Sequence, residues 1–197
     1  MLSELLRLKE AMTILRSEGP ITLRTLEETD VPLMARWRSD PRVIEFYSGR
    51  DRPLDEEGVR RHYLARSDEP VSGGVRDYQA CIVEWNGRSV GFVQFYLLRP
   101  TDSERFGYPK PDRTFGIDFL IGETGLWGHG LGAPIITLAV NYLKSGKSAR
   151  RVVADPRTDN PRSIHTLEKV GFRKVRMLPD HEIFEGKSRD CWLMEYP

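Results

Sequence analysis

The sequence predicts an α/β fold in which helices pack on one mixed sheet. Two apolar runs, YQACIVEW and RSVGFVQFYLL, are joined by Asn86-Gly87, the dipeptide most typical of a tight β-hairpin. A glycine-rich turn, WGHGLG, lies between a strand pattern, TFGIDFLIG, and a helix pattern over residues 133–144. Two more apolar runs, FRKVRML and DCWLMEY, end the chain. Antiparallel hairpins at both ends, with a strand–helix–strand unit between them, favour a single mixed sheet.

The N-terminal segment predicts a separate helix. Apolar residues at positions 2, 5, 6, 12 and 15 share one helical face, and Gly19-Pro20 then ends the pattern. We therefore predict an amphipathic helix over residues 1–19 and one globular domain over residues 20–197. Such a helix can dock on the domain or pair with a second subunit, so a monomer and a homodimer both stay open.

The elements between these landmarks follow from apolar spacing and from turn residues. ITLRTL alternates like a half-buried strand, and RRVVADP contains another. Asn160-Pro161 opens a helix that Gly171 closes, because asparagine caps helices, proline fits their first turn and glycine ends them. We interpret PDHEIFEGKSRD as an acidic connection between the last two strands. The other predictions are a helix after Asp30, a helix over residues 54–66 and a long loop over residues 100–112.

Composition excludes several classes of protein. The chain has 197 residues, with 30 Lys plus Arg against 29 Asp plus Glu, so its formal net charge of +1 argues against a nucleic-acid partner. No uninterrupted apolar run is long enough to cross a membrane, and charges interrupt the N-terminal leucines, unlike a signal peptide. Both cysteines, Cys81 and Cys191, lie in strand patterns typical of buried thiols. We expect a cytoplasmic protein.

The glycine-rich turn is the first candidate for chemistry. Glycines between a strand and a helix let several backbone N–H groups point outward at the helix N-terminus, where they can bind a phosphate. The turn is not a Walker loop, because no Gly-Lys-Ser/Thr follows it. A tight turn used for packing is an equally good interpretation of the turn taken by itself.

The turn and the segments around it resemble a known family. The matching words are DPRVIEFYSGRD, VGFVQFY, GIDFLIGE, WGHGLG, DPRTDNPRSI, EKVGF and the long LPDHEIFEGKSRDCWLMEY. From about residue 21 to the C-terminus the sequence is similar to the GCN5-related N-acetyltransferase superfamily, and within it to aminoglycoside 6′-N-acetyltransferases. The likeness is strongest to the acetyltransferase half of the bifunctional acetyltransferase–phosphotransferase. The resemblance implies a mostly antiparallel sheet with a central splayed strand pair.

The resemblance also implies a site for acetyl-coenzyme A. The turn would hold the pyrophosphate on its backbone, and the preceding strand would pair with the pantetheine arm, with a bulge splaying the sheet. Asn160 would meet the pantetheine or stay a helix cap. Trp127 stands where the superfamily often has Arg or Gln. The implied cofactor-binding residues are Phe119, Leu120, Ile121, Trp127, Gly128, His129, Gly130, Leu131, Gly132 and Asn160.

Asp118 is the predicted catalytic residue. An aminoglycoside amine arrives mostly as ammonium, and a carboxylate can attract it, orient it and accept its proton. We expect direct attack in a ternary complex, because no candidate nucleophile stands out. Two positions depart from the family: Phe119 replaces a glutamine, and Leu167 replaces the tyrosine that often protonates the leaving thiolate. Solvent, His165 or Thr166 would then take that role.

A polycationic substrate calls for several spaced carboxylates. We predict Tyr47, Asp118, Asp155, Asp180 and Glu182 as substrate-binding residues, with Glu185 in the same acidic segment. Trp37 and Phe46 line the sugar pocket or, for Trp37, the helix core. His62 and His181 lack metal-ligand spacing, so we predict no metal.

Two other functions stay open. One is acetyl transfer to a different amine or hydroxylamine, such as a siderophore precursor or a protein N-terminus. The other is a coenzyme A-binding protein with weak catalysis. The leucine at position 167 favours this alternative, because it replaces the tyrosine that would donate a proton.

Overall fold

The computed structural model describes residues 13–65, 78–99, 106–108 and 112–197, which form one eight-stranded sheet. Its strand order is β1-β2-β3-β4-β5-β6-β8-β7. Every neighbouring pair is antiparallel except β5 and β6, which run parallel. The strands are β1 Ile14–Glu18, β2 Ile21–Thr25, β3 Tyr78–Trp85, β4 Arg88–Leu97, β5 Thr114–Ile121, β6 Arg151–Ala154, β7 Arg173–Phe184 and β8 Lys187–Tyr196.

Helices cover both faces of this sheet. They are α1 Val31–Ser39, α2 Pro41–Ile44, α3 Glu56–Val59, α4 Gly132–Gly146 and α5 Pro161–Val170. A wider helical turn, Arg60–Leu64, continues α3. The predicted caps of α5 are confirmed: the Asn160 side chain accepts the N–H of Ser163 at 3.2 Å, and Gly171 ends the helix with a φ of +112°. Within the described residues no helix is long and apolar enough to span a membrane.

Side chains alternate between two cores along the central strands. Phe115 and Ile117 of β5 pack with α4 and α5, on what we call the α4 face. Leu120 packs with α1, α3 and Phe92 on the opposite α1 face. A third, smaller cluster contains Val153 of β6 with residues of β7 and β8 and adjoins the second. Since side chains on a strand alternate, Asp118 lies on the α1 face with Leu120.

The one parallel pair divides into a fork. β5 and β6 are in register from Thr114↔Arg151 to Gly116↔Val153, and β6 then ends at Ala154. β5 continues to Ile121, so its last five residues have no strand neighbour on the β6 side. The pairing of β5 with β4 has no register shift. The predicted splayed pair is therefore present, but a short β6, and not a bulge in β5, opens it.

The N-terminal prediction needs correction. Residues 14–18, expected to end an amphipathic helix, form strand β1, which pairs with β2 through a turn at Gly19. Leu15 packs against the main core, and this contact together with the backbone pairing to β2 outweighs the helical spacing. The boundary predicted at residue 19 thus falls inside a hairpin. Residues 1–12 lie outside the described part of the chain.

The acidic segment PDHEIFEGKSRD is also not a loop. It forms the ends of β7 and β8, joined by a two-residue turn at Glu185-Gly186, both with positive φ (53° and 70°). That geometry matches the twist of a hairpin, which explains why the strands extend to it. A register shift between Leu178 and Glu182 adds a bulge, where Asp180 has a φ of +50°. The bulge turns this part of β7 toward the end of β6.

Candidate active site

The glycine turn has the backbone geometry of an anion site. Gly128 and Gly130 have φ values of +79° and +78°, which side chains rarely adopt, and a Cβ on either would meet nothing within 4 Å. The first helical hydrogen bond of α4 is that of the Ile135 N–H to Leu131, so earlier N–H groups are available to a ligand. At Gly132 a Cβ would lie 2.9 Å from Thr166 of α5, so this glycine serves the packing of the two helices.

Trp127 and His129 fix the turn itself. The indole Nε1 of Trp127 donates to the carbonyl of Ile121 at 2.8 Å, so it binds the open end of β5. The His129 N–H donates to the Leu126 carbonyl, and its ring nitrogen Nδ1 lies 3.1 Å from the Trp127 carbonyl. These contacts hold the turn against the strand before any ligand binds.

The open edge of β5 is the second element of the site. Residues 117–121 pair with β4 on one side and face the gap of the fork on the other. Backbone groups that point into the gap can pair with an extended ligand as a further strand would. Phe119 and Ile121 are partly buried on the α4 face, while Leu120 is buried on the α1 face. The backbone of Phe119, Leu120 and Ile121 therefore borders the gap, while their side chains point alternately to the two faces of the sheet.

Asp118 stands on this open arm at the end of a hydrogen-bond relay. Gln94, opposite it on β4, donates through Nε2 to Asp118 Oδ2 at 2.5 Å. The Tyr78 hydroxyl donates to Gln94 Oε1 at 2.9 Å. Gln94 and Tyr78 are buried, whereas Asp118 is half-buried. The relay thus fixes one carboxylate oxygen, and the half-buried carboxylate can meet a ligand. A glutamine inside the apolar run VGFVQFY was the sequence signal for this partner.

Asp155 lies on the other arm of the fork. It directly follows β6, two residues beyond Val153, just as Asp118 lies two residues beyond the registered partner Gly116, so continued alternation would place the two side chains on the same face. His181 Nε2 lies 2.9 Å from Asp155 Oδ2, and its ring packs 5.4 Å from that of Phe106. Asp155, His181 and Glu182 bring their potential ligand atoms within 4.8 Å of one another.

This cluster joins Asp155 and Glu182, which were predicted to bind the substrate, with His181, for which the sequence predicted no role as a metal ligand. The bulge in β7 places His181 beside Asp155, although the two are 26 residues apart in sequence. The cluster could hold a cation of any kind, including an ammonium group, and the absence of a metal remains a prediction.

Tyr47 supplies an unusual hydroxyl. Its oxygen is buried and has no hydrogen-bond partner among the described residues. Its ring packs edge-on to Phe92 at 6.5 Å, and the Arg38 guanidinium lies 4.7 Å from the ring centre. Burial, followed by the nearby Tyr63 and Asp118, raises its pKa well above the usual value, so it stays protonated. A protonated, unsatisfied hydroxyl close to Asp118 is a donor for a polar ligand.

The segment around Tyr47 is tied to the β7–β8 hairpin. Arg157 donates to the Glu45 carbonyl at 3.1 Å, and its guanidinium lies 4.8 Å from the ring centres of both Phe46 and Phe184. Arg50 binds both carboxylate oxygens of Glu185, and this hydrogen-bonded guanidinium lowers the pKa of Glu185 to about 2. Phe46 therefore stacks on an arginine, and the Glu185 carboxylate is paired with Arg50.

The structure decides between the two interpretations of Trp37 and leaves Asp180 exposed. Asp180 is exposed on the bulge, where its N–H donates to Asp190 Oδ1 at 2.9 Å. Trp37 is 1% exposed and packs over Gly122, where a Cβ would lie 2.1 Å from the indole. Its Nε1 donates to Glu123 at 2.9 Å. Trp37 is thus a core residue that fixes the end of β5.

Position 167 cannot supply a proton. Leu167 is fully buried in the core between α5 and the sheet. Of the predicted substitutes, Thr166 donates its hydroxyl to the Arg162 carbonyl at 2.8 Å and packs on Gly132, while His165 is exposed. Of these two residues, Thr166 is the one in contact with the glycine turn, through Gly132.

Comparison with known proteins decides the family. A model described as an acetyltransferase (GNAT) domain matches residues 27–179, well over half of the chain. The chain belongs to this family. The predicted fold class and resemblance are thereby confirmed, and the protein is an acetyltransferase of the GNAT type.

Relatives with assigned substrates differ among themselves. Aminoglycoside N(6′)-acetyltransferase type 1 of Klebsiella pneumoniae is 25% identical over 161 residues, which cover 82% of this acetyltransferase and 78% of that protein. The structure of AAC(6′)-Ib with ribostamycin and coenzyme A has a TM-score of 0.70 at 21% identity, covering 90% and 93% of the two chains. Spermidine N-acetyltransferase of Vibrio cholerae with coenzyme A and spermine has 0.73 at 15%, covering 91% and 96%. The two structures show the shared fold.

Proposed function

We propose that this acetyltransferase moves the acetyl group of acetyl-coenzyme A to the 6′-amino group of an aminoglycoside, in the cytoplasm, giving resistance to the antibiotic. One observation carries the proposal: Asp118 and Asp155 stand at matching positions on the two arms of the fork, each two residues beyond the last registered pair, where a cationic acceptor would meet two carboxylates across the gap. The relative from Klebsiella pneumoniae, which has this activity by name, supports it.

The glycine turn and the open edge of β5 fit acetyl-coenzyme A. The left-handed glycines leave open space beside the helix N-terminus, which suits a pyrophosphate. The edge of β5 that faces the gap, over residues 117–120, suits the amides of an extended pantetheine arm. N–H groups of this strand, near residues 119–121, would also stabilise the oxyanion that develops on the thioester carbonyl. The acyl carbon then lies in the fork, within reach of an acceptor on the α1 face.

Asp118 acts as the base in the proposed transfer. The acceptor nitrogen must lose a proton before its lone pair can attack, and the carboxylate takes that proton directly or through one water. The base must also be correctly oriented. Gln94 orients the Asp118 carboxylate, because it fixes one of its oxygens by a hydrogen bond. As the C–N bond forms and the C–S bond breaks, the nitrogen loses its second proton to water and coenzyme A leaves as a thiolate. Asp118 keeps the amine proton until solvent removes it.

Water protonates the thiolate in this proposal. Leu167 is buried and has no proton to give, and Thr166 already donates its hydroxyl to a backbone carbonyl. A thiolate is a good leaving group at neutral pH, so the missing acid slows the reaction without preventing it.

The remaining substrate contacts come from the cluster on the second arm. Asp155 and Glu182 would bind a second ammonium group, and the exposed Asp180 would add to the attraction of a polycation. Tyr47 would donate its free hydroxyl to a ring oxygen or hydroxyl of the sugar. These roles require an acceptor with at least two cationic groups.

The test is thiol release from acetyl-coenzyme A with matched antibiotics. Neomycin and paromomycin differ at position 6′, which carries an amine in the first and a hydroxyl in the second. We expect rapid thiol release with neomycin, kanamycin and tobramycin, and the drug-free rate with paromomycin. Equal rates with neomycin and paromomycin would show that another amine is acetylated. No release with any of the four would refute the aminoglycoside proposal.

A second candidate is acetylation of a linear polyamine. The same pair of carboxylate sites suits a diamine, and the spermidine N-acetyltransferase of Vibrio cholerae shares the fold. Spermidine and the four aminoglycosides should therefore be compared at equal concentration. Thermal stabilisation by the antibiotics without thiol release would favour a weakly catalytic binding protein.

A further inference from the structure

We propose that Arg162 binds a phosphate group of coenzyme A, held in place by stacking on Trp127. The inference rests on acetyl-coenzyme A being the co-substrate, but not on the identity of the acceptor amine. It adds a side-chain cation to a site whose other anion-binding groups belong to the backbone.

The first observation is where the pair lies. The Arg162 guanidinium carbon is 4.6 Å from the ring centre of Trp127. Arg162 is in the first turn of α5, which packs on the α4 face, whereas Trp127 packs against the cluster of the α1 face and binds the last carbonyl of β5. The stacked pair therefore joins the start of α5 to the glycine turn at the open end of β5.

The second observation is that no carboxylate neutralises Arg162. Among the described residues it forms neither an ion pair nor a side-chain hydrogen bond. Many other arginines of the protein bind a carboxylate, for example Arg24, Arg36, Arg50 and Arg157. An exposed arginine usually keeps its side-chain freedom, but stacking on an indole restricts this one without consuming its five N–H donors. Arg162 is thus a positioned cation with its hydrogen-bonding capacity intact.

The third observation is the convergence of two helix ends. Gly132 in the first turn of α4 is in close contact with Thr166 of α5, and Arg162 lies one turn before Thr166. The N–H groups that begin α4 and the guanidinium that begins α5 therefore border one opening. An anion in this opening would bind both, and arginine forms bidentate hydrogen bonds with phosphate oxygens.

Binding of coenzyme A in the absence of any acceptor tests the inference. Isothermal titration of the whole protein should show coenzyme A affinity about 10- to 100-fold weaker for Arg162→Ala than for the unmodified chain, as expected for the loss of a charge-assisted contact. Trp127→Ala should weaken binding as well, and Trp127→Phe, which keeps a ring, should do so less. The salt dependence of binding should become shallower in Arg162→Ala.

Dephospho-coenzyme A, which lacks the 3′-phosphate, identifies the phosphate involved. If Arg162 contacts the 3′-phosphate, the alanine variant and the unmodified protein should bind this ligand equally. If it contacts the pyrophosphate, the ratio between them should persist. Both results support the inference.

A matched arginine provides the control. Arg61 is exposed on the wider turn after α3, on the α1 face, where it pairs with Glu57 at 3.7 Å. Arg61→Ala should leave the affinity for coenzyme A unchanged. An Arg162→Ala variant that melts normally and binds coenzyme A within twofold of the unmodified protein would overturn the inference. Failure of the unmodified protein to bind coenzyme A would refute the proposed function instead.

Discussion

The proposed coenzyme A site consists mainly of backbone groups, whereas the proposed acceptor site consists of side chains on the α1 face. The first set comes from one continuous stretch, residues 117–132, in which glycines and an unpaired strand edge expose N–H and C=O groups. The second set is gathered from positions far apart in sequence, namely Tyr47, Gln94, Asp118, Asp155 and His181. A ligand that many proteins share can be bound by local geometry, while an acceptor needs its own arrangement of side chains.

The largest expected effect concerns the proposed acceptor site on the α1 face and leaves the coenzyme A site unchanged. Asp118→Asn keeps the size of the side chain but removes the base, so kcat should fall about 100-fold or more. The affinity for coenzyme A should not change, because its proposed contacts are backbone groups and the Arg162 side chain, and the substitution alters none of them. Steady-state kinetics and titration of coenzyme A check the two statements. Asp112→Asn, at an exposed ion pair with Arg150, is the control and should keep full activity. Full turnover by a folded Asp118→Asn would exclude Asp118 as the base.

The next effect concerns the proposed coenzyme A site alone. Gly130→Ala forces a side chain into a φ of +78°, which costs about 1–2 kcal/mol, and puts a methyl group into the space proposed for a phosphate. Coenzyme A should bind about tenfold more weakly. Gly87→Ala, with a φ of +72° and equally open surroundings in the β3–β4 turn, should lose similar stability and no affinity. Equal affinity losses in both variants would assign the effect to strain.

A smaller effect sharpens the role of Tyr47. Its hydroxyl has no hydrogen-bond partner in the described part of the chain, so Tyr47→Phe should leave thermal stability unchanged or slightly raised, while KM for the acceptor rises several-fold. Tyr108→Phe is the contrasting variant, because the Tyr108 hydroxyl donates to Glu195 at 2.6 Å, and it should lose about 1–3 kcal/mol of unfolding free energy. Unchanged acceptor KM in Tyr47→Phe would remove Tyr47 from the substrate site.

The smallest effect concerns the tether between the Tyr47 segment and the hairpin. The pKa of Glu185 is about 2 in the folded protein, below its ordinary value of 4.5, so its pairing with Arg50 stabilises the fold above pH 4.5 and is lost as pH falls toward 2. A carbon-13 titration of the Glu185 carboxyl should show this low pKa. In Arg50→Ala the pKa should return to its ordinary range. The same pKa in both proteins would show that Arg50 is not the cause.

The same difference between local and distant contacts explains which features the sequence predicts correctly. The hairpin at Asn86-Gly87, the caps of α5 and the turn at residues 127–132 are set by neighbouring residues, so their patterns predict them directly. β1 was predicted as a helix because its pairing with β2 is invisible to a local pattern. The contact of Asp155 with His181 depends on a bulge in β7 and on the end of β6, which no spacing encodes. The pairing of Glu185 with Arg50 was not predicted, because the two are 135 residues apart.

The brief register between β5 and β6 has a consequence for how the molecule assembles. Strands β1 to β5 follow one another in both sequence and sheet order, and β7 and β8 form a hairpin. These two pieces join through three registered pairs on each side of β6, fewer than the seven pairs of β4 with β5 or the eight of β7 with β8. We therefore expect this seam to open early in unfolding. A ligand bound across the fork would bridge the two pieces and so delay unfolding of the whole chain.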